Sequence, residues 1–239
     1  PVYSAYRQGV EQRNKYLTQQ YGQVDLDMLA VWDEKIALEG SIILAKRQQL
    51  ISAILPFAQK IHTLLSDGKE QLVLCYESAL FRQKEANKAV WEHAQSLPWS
   101  EKIAFLQQQM KQALAQNRRE DLLKGATGVG PHRDDVAIAI NGVSARQFAS
   151  QGQQRTAALA FKLAEIDLFY QETGQYPVLL LDDVMSELDD RRCQQLLDFV
   201  SDKAQTIITN TQQQPFAHYG KVIVVEQGVA HCGAKIEKS

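Results

Sequence analysis

Cysteine is scarce: Cys75, Cys193 and Cys232 are the only three in 239 residues. They are scattered and odd in number, which excludes a disulfide framework, and they lack zinc-ligand spacing. A reducing, cytoplasmic setting is expected. No apolar run approaches the roughly 18 residues of a membrane span, so no membrane partner is expected. No secretory leader is visible, and a shortened N-terminus would hide one. Neither sign of charge dominates. The 26 Lys and Arg against 28 Asp and Glu leave a net charge of −2, so a nucleic-acid surface would have to be a local patch or be supplied from elsewhere. A phosphate-binding loop of the form G-x-x-x-x-G-K-[ST] is also missing. Gly125 to Gly130 has no lysine after it, and Gly220-Lys221 lacks both the following Ser or Thr and the earlier glycine. The apolar fraction of 45% still supports a core, and the length suits one large or two small domains.

What is present concentrates between Ser144 and Asp189. Ser150-Gln151-Gly152-Gln153-Gln154 is a small polar turn that opens a helix-forming run, Arg155 to about Glu172. The first turn of a helix has unpaired N–H groups and partial positive charge, which suits a phosphate. Ser150 and Gln153 add side-chain donors, and Gly152 lets a ligand approach the backbone. Taken alone, the same residues read more readily as an ordinary N-cap.

After Pro177, Val178 to Leu181 reads as a strand buried on both faces. It ends in Asp182 and Asp183, at the sheet edge where open α/β sheets bind ligands. Paired carboxylates hold Mg²⁺ or divide metal-holding and base roles. Alternatively, the Asp residues end the strand and cap the next helix.

In combination these segments resemble a known family. The Ser150–Gln154 turn resembles the signature motif of ABC-type ATPases, and Leu179 to Asp183 resembles their Walker B strand. Ser186-Glu187-Leu188-Asp189 resembles the D-loop. Asp-Asp in place of Asp-Glu, within SQGQQRT … LLLDDVMSELD, is similar to the RecF family of bacterial DNA-repair and recombination ATPases, relatives of the SMC proteins. The likeness extends to Gly130-Pro131-His132-Arg133-Asp134-Asp135 and to Gln12-Arg13-Asn14, so it covers most of the chain.

The resemblance implies an α/β fold: the C-terminal half of an ABC-type ATPase head plus an inserted, mainly helical arm domain. Residues 1–122 would form the arm and 123–239 the C-terminal lobe of the head. Members of the family carry the P-loop near the start of a longer chain, so this chain is expected to be the C-terminal part of such a protein. ATP hydrolysis is expected of the complete protein and not of this chain alone. By the same resemblance Asp182 would hold Mg²⁺ through water, and Asp183 would orient or deprotonate the attacking water. Ser150, Gly152 and Gln153 of a second subunit would close on the γ-phosphate of ATP, beside the D-loop residue Asp189. Asn210 stands where a switch histidine is expected; Asn can donate a hydrogen bond but cannot carry charge, so the switch chemistry stays open. The implied function is ATP-dependent homodimerisation on gapped or single-strand/double-strand DNA, loading recombinase with RecO- and RecR-like partners in replication, repair, recombination and the SOS response.

Two other classes compete: a non-catalytic protein-interaction module, and a metal-dependent hydrolase built on Asp182, Asp183 and Asp134. The second lacks a histidine or nucleophile at clear spacing. His132-Arg133-Asp134 is not a kinase catalytic loop, because Ala139 occupies the position that requires Asn. Arg133 is open between meeting a phosphate and pairing with Asp134 or Asp135.

Along the chain, Leu29, Trp32, Ile36, Gly40, Ile43, Leu50, Ile54, Ala58, Ile61 and Leu65 define a helical face interrupted by Arg47. Pro56 is expected to kink or break it near Leu55, and Ser66-Asp67-Gly68 to end it. Gln71 to Tyr76 reads as strand and residues 78–95 as helix. Pro98 is a break, and Ser100 is the expected N-cap of a helix from Glu101 to about Arg118. Val136 to Ile140 should form a hairpin at Asn141-Gly142. A helix over residues 190–202 should bury Cys193, Leu196, Leu197 and Val200. Thr206 to Thr209 should be a strand, and a last hairpin should turn at Gln227-Gly228.

Overall fold

The computed structural model describes residues 1–19, 25–81, 85–211 and 219–232. They form two compact units, each assembled from separate stretches of chain. Unit one takes Pro1–Ala53 and Leu74–Ala137; unit two takes Ile54–Val73 and Ile138–Ser239. The boundary expected at residue 122 lies inside a helix of unit one.

Unit one is mainly helical: α1 (Val2–Gln19), most of α2 (Leu26–Leu65), α3 (Glu85–Ser96) and α4 (Trp99–Lys124). Its core interleaves Tyr6, Val10 and Leu17 of α1 with Leu29, Ile36 and Leu44 of α2 and Leu106, Met110 and Leu114 of α4. At Gly40 an added Cβ would lie 2.5 Å from Met110 Sδ and 3.2 Å from the Tyr6 ring, so any larger residue would displace the Met110 side chain where these helices meet.

The centre of this unit is polar. Arg13 is 0% exposed. Its Nε donates to Asp33 Oδ1 (2.8 Å), and its Nη1 donates to Asp121 Oδ2 (2.6 Å) and Thr127 Oγ1 (2.9 Å). Asn14 Oδ1 accepts the Thr127 N–H at 2.7 Å. A buried charge survives only when paired and hydrogen-bonded, and Gln12-Arg13-Asn14 meets that condition by drawing α1, α2, α4 and the Gly125–Asp135 loop onto one guanidinium.

The same loop is tied down residue by residue. Tyr6 donates to His132 Nδ1 (2.6 Å), and His132 Nε2–H donates to the Thr127 carbonyl (3.0 Å). Arg47 donates to the Pro131 carbonyl at 2.5 Å, which explains an arginine in the seam of α2. Asp134 accepts from Tyr76 O–H and from the Ala79 N–H (2.6 Å). Burial pushes its carboxyl above the ordinary range. Arg133 Nη2 stands 3.4 Å from the Thr127 carbonyl.

Four local expectations are corrected. The helix α2 continues through Pro56 to Leu65; burial of Ile54, Ala58, Ile61 and Leu65 outweighs a proline penalty of about 3 kcal/mol. Leu50 is 50% exposed and Ile51 takes its place inside. Residues 78–81 form a turn rather than helix, because Asp134 captures the Ala79 N–H; 82–84 lie outside the described residues. Ser100 does not cap α4, which starts at Trp99 after Pro98 and continues to Lys124, where Gly125 closes it in a left-handed conformation (φ 61°).

The strands β1 (Leu72–Glu77), β2 (Asp135–Ile140) and β3 (Val143–Ser144) form one sheet in that order. The hairpin turns at Asn141-Gly142, both with positive φ as a tight two-residue loop requires. Unit two continues with α5 (Ala145–Phe148), α6 (Gln151–Thr173), β4 (Leu179–Asp182), α7 (Asp190–Ser201), β5 (Thr206–Thr209), and the hairpin β6 (Ile223–Glu226) and β7 (Val229–Cys232). Helix α7 buries Cys193, Leu196, Leu197 and Val200, the stripe read from the sequence. Strand β4 pairs in parallel with β5, Asp182 opposite Thr209. It is not buried on both faces. Leu181 is inside, but Val178 and Leu180 are 56% and 69% exposed. Alternate residues of a strand point to opposite faces, and among the described residues only one face of this pair is covered.

Replacing Arg13 with Met should destabilise the fold by about 3–5 kcal/mol, because Asp121 loses its cation inside the core while Asp33 keeps only Arg118. Arg7→Met, which removes an exposed i,i+4 pair with Glu11, should leave the urea midpoint unchanged.

Candidate functional site

The polar turn is an N-terminal cap in full. Ser150 has extended backbone and its Oγ accepts the Gln153 N–H at 3.2 Å; Gln153 Oε1 accepts the Ser150 N–H at 2.9 Å. This capping box satisfies two of the orphan donors of α6. The N–H groups of Gln151 and Gly152 have no acceptor within the helix. The nearest atom to a Cβ placed on Gly152 would be Arg192 Nη1, at 3.7 Å, so the turn is open on that side. Ser150 and Gly152 are exposed. The cap and the phosphate-type donor set therefore coexist: different N–H groups serve each.

The carboxylates sit at the C-terminal end of β4. Thr209 Oγ1 donates to Asp182 Oδ1 at 2.6 Å and accepts the Asp183 N–H at 3.1 Å. The Thr209 carbonyl accepts the same N–H at 3.2 Å. Asp183 adopts a left-handed conformation, φ 51° and ψ 20°, which turns the chain out of the strand into a short 3₁₀ turn, Val184–Glu187. Both carboxylates are exposed, and Asn210 follows Thr209 at the same edge.

Asp189 caps α7, its Oδ1 accepting the Arg192 N–H at 2.9 Å. Arg192 also bonds Asp189 Oδ2 (3.2 Å) and the Leu65 carbonyl (3.2 Å). Unit two thus gathers Asp182, Asp183, Thr209 and Asn210 at the strand ends, while Arg192 ties Asp189 to the end of α2 and passes near Gly152. Asp134 belongs to unit one, where its contacts are structural. Among the described residues no three His, Cys, Asp or Glu side chains cluster as a metal site.

Thr209 and Arg192 were not singled out in the sequence. Thr209 ends the strand parallel to the acidic one, and that register alone could have marked it. Arg192 is one of two adjacent arginines, and nothing local distinguishes it.

Behind the signature turn, His62 is fully buried in the last turn of α2. Burial holds its imidazole below the ordinary value; Glu70 opposes that effect and Arg192 adds to it.

No family model matches the chain. Individual relatives do. The DNA replication and repair protein RecF of Limosilactobacillus fermentum is 39% identical over 231 residues, 94% of this chain and 58% of that protein. The RecF proteins of Thermosynechococcus vestitus and Pediococcus pentosaceus are 40% and 42% identical over 91% and 86% of the chain, covering 54% and 52% of theirs. Among solved structures, the recombination mediator protein RecF in its ATP and ATPrS forms, in the RecFOR pathway, superposes with a TM-score of 0.76 at 29% identity. That match covers 98% of this chain and 58% of that one. The fold is therefore part of an ABC-type ATPase head together with a mainly helical region. The chain belongs to the RecF family, and it spans a little over half the length of the relatives it matches.

The histidines give a pH signature. An imidazole held below its unfolded value of about 6.5 resists a proton that the unfolded chain accepts. Stability is complete above that value and is lost as pH falls toward the folded one. Burial lowers His132 in the same direction. The urea midpoint should therefore fall between about pH 7.5 and 5.5, and His62→Leu should flatten part of that slope.

Proposed function

We propose that this chain supplies the signature, Walker B and D-loop parts of a RecF-type DNA replication and repair ATPase. In this reading residues 1–122 form the arm and 123–239 the C-terminal lobe of the head. The reading is supported most by the acidic pair at the end of a parallel strand, with Asp182 and Asp183 both tied to Thr209, in a chain of this family.

The donor set suits the groups that the family implies. Asp182 offers an exposed carboxylate beside a hydroxyl, hard oxygens of the kind Mg²⁺ takes. Such an ion, when bound with ATP, would neutralise phosphate charge. Asp183 would orient or deprotonate the attacking water. The exposed turn at Ser150, Gly152 and Gln153 would face the γ-phosphate of ATP held by a second subunit, with Asp189 alongside. Asn210 would hydrogen-bond at the switch position. Closure of two subunits on ATP would complete the site, and hydrolysis would release them. The RecFOR context of the structural neighbours supports RecO- and RecR-type partners; action on single-/double-stranded DNA is part of the same proposal.

Ser150→Arg in the complete protein should abolish ATP-dependent dimerisation. Loss of the cap alone costs about 0.5–2 kcal/mol, which leaves a folded protein to measure. Sedimentation with and without ATP, on protein shown by circular dichroism to be folded, decides the matter. A folded variant that still dimerises sinks the trans site. Asp183→Asn should suppress turnover by orders of magnitude while dimerisation persists, because Asn keeps the shape and cannot accept a proton. Equal loss of both would overturn the role given to Asp183.

A further inference from the structure

We propose that Glu70 is a positioning residue for the signature turn, holding the Gln153 side chain in place from the segment that follows α2. This rests on the function proposed above and extends it to residues outside the three motifs.

Glu70 Oε1 accepts from Gln153 Nε2 at 2.9 Å. Its other oxygen lies 3.4 Å from His62 Nε2. Those two facing atoms are buried, and neither has a hydrogen-bond partner among the described residues. Buried polar atoms are rarely left unpaired, and this pair needs only a small closure to satisfy both. The carboxylate therefore bridges the last turn of α2 and the capping box of α6.

The backbone that carries Glu70 is itself anchored to α7. Asp67 Oδ1 accepts from Gln195 Nε2 (2.8 Å) and Arg191 Nη2 (2.5 Å), and the Leu65 carbonyl accepts from Arg192 Nε. Glu70 thus projects from a fixed segment rather than a loose turn. Its effect on Gln153 is specific. The carboxamide oxygen is committed to the Ser150 N–H and one amide N–H to Glu70, so the group cannot flip, and the second N–H keeps one direction. A turn that must meet a partner subunit's nucleotide gains from being set in advance.

The test is a double-mutant cycle in the complete protein, E70A, Q153A and E70A/Q153A, read by sedimentation with Mg²⁺ and ATP alongside thermal melts. E70A should weaken ATP-driven dimerisation about tenfold, the scale of one hydrogen bond to a charged group. The double variant should be no weaker than Q153A. E70Q, which keeps an acceptor oxygen, should recover dimerisation to near wild type. Should E70A not fold, E70M enters the same cycle, keeping the packing without the acceptor. Wild-type dimerisation in the acceptor-less variant, or losses that simply add, would overturn the proposal. S150R separates the two readings. If S150R stays monomeric while E70A dimerises normally, only the role of Glu70 falls; if S150R dimerises, the trans site falls first.

Discussion

The parallel register of β4 on β5 is the constraint on which the candidate chemistry depends. Side chains alternate faces along a strand, so a slip of one residue would exchange Leu181 with Leu180 and pull Asp182 away from Thr209. Leu181 is buried and Leu180 exposed, so the covered face sets the register, and the register sets the acidic pair. Thr209 then does two jobs with one hydroxyl. It donates to the first carboxylate and accepts the backbone N–H of the second. The site is thus specified by apolar burial one residue away from it.

In unit one, a polar group takes the organising part that apolar burial takes in unit two. Arg13 gathers acceptors from α2, α4 and the following loop, and removing it would leave Asp121 without a cation and Asp33 with Arg118 alone. Its partners Asp121 and Thr127 lie more than a hundred residues away in sequence. Contacts that distant set the position of the Gly125–Asp135 loop, whose His132 and Asp134 act as hydrogen-bond partners of Tyr6 and Tyr76.

Local features were legible in the sequence wherever the physics is local. Asn141-Gly142 announces a hairpin because both residues accept positive φ, and at Gln227-Gly228 the glycine carries the signal. The stripe of Cys193, Leu196, Leu197 and Val200 follows from helical spacing alone. The order of the signature-like, strand and D-loop-like segments was read from a family resemblance instead. Pro56 does not break the helix, since its cost is small against the buried Ile54, Ala58, Ile61 and Leu65 around it. Strand β4 misled in the other direction: four apolar residues in a row describe what a strand can bury, not what covers it. Thr209, Arg192, His62 and Glu70 were invisible because each acquires its meaning from a partner far along the chain. Glu70 and Gln153 are 83 residues apart.

The left-handed backbone at Asp183 limits what can occupy that position. Asp and Asn tolerate positive φ because a short polar side chain can bond locally, whereas longer side chains meet steric resistance. The ABC-type pattern that this segment resembles has Glu there, and the shorter acid here matches the tight turn out of the strand. An alanine at the same place would change the path of the chain as well as its charge. The geometry makes residue 183 a point where backbone shape and acid length vary together, so divergence there is a change of scaffold as much as of chemistry.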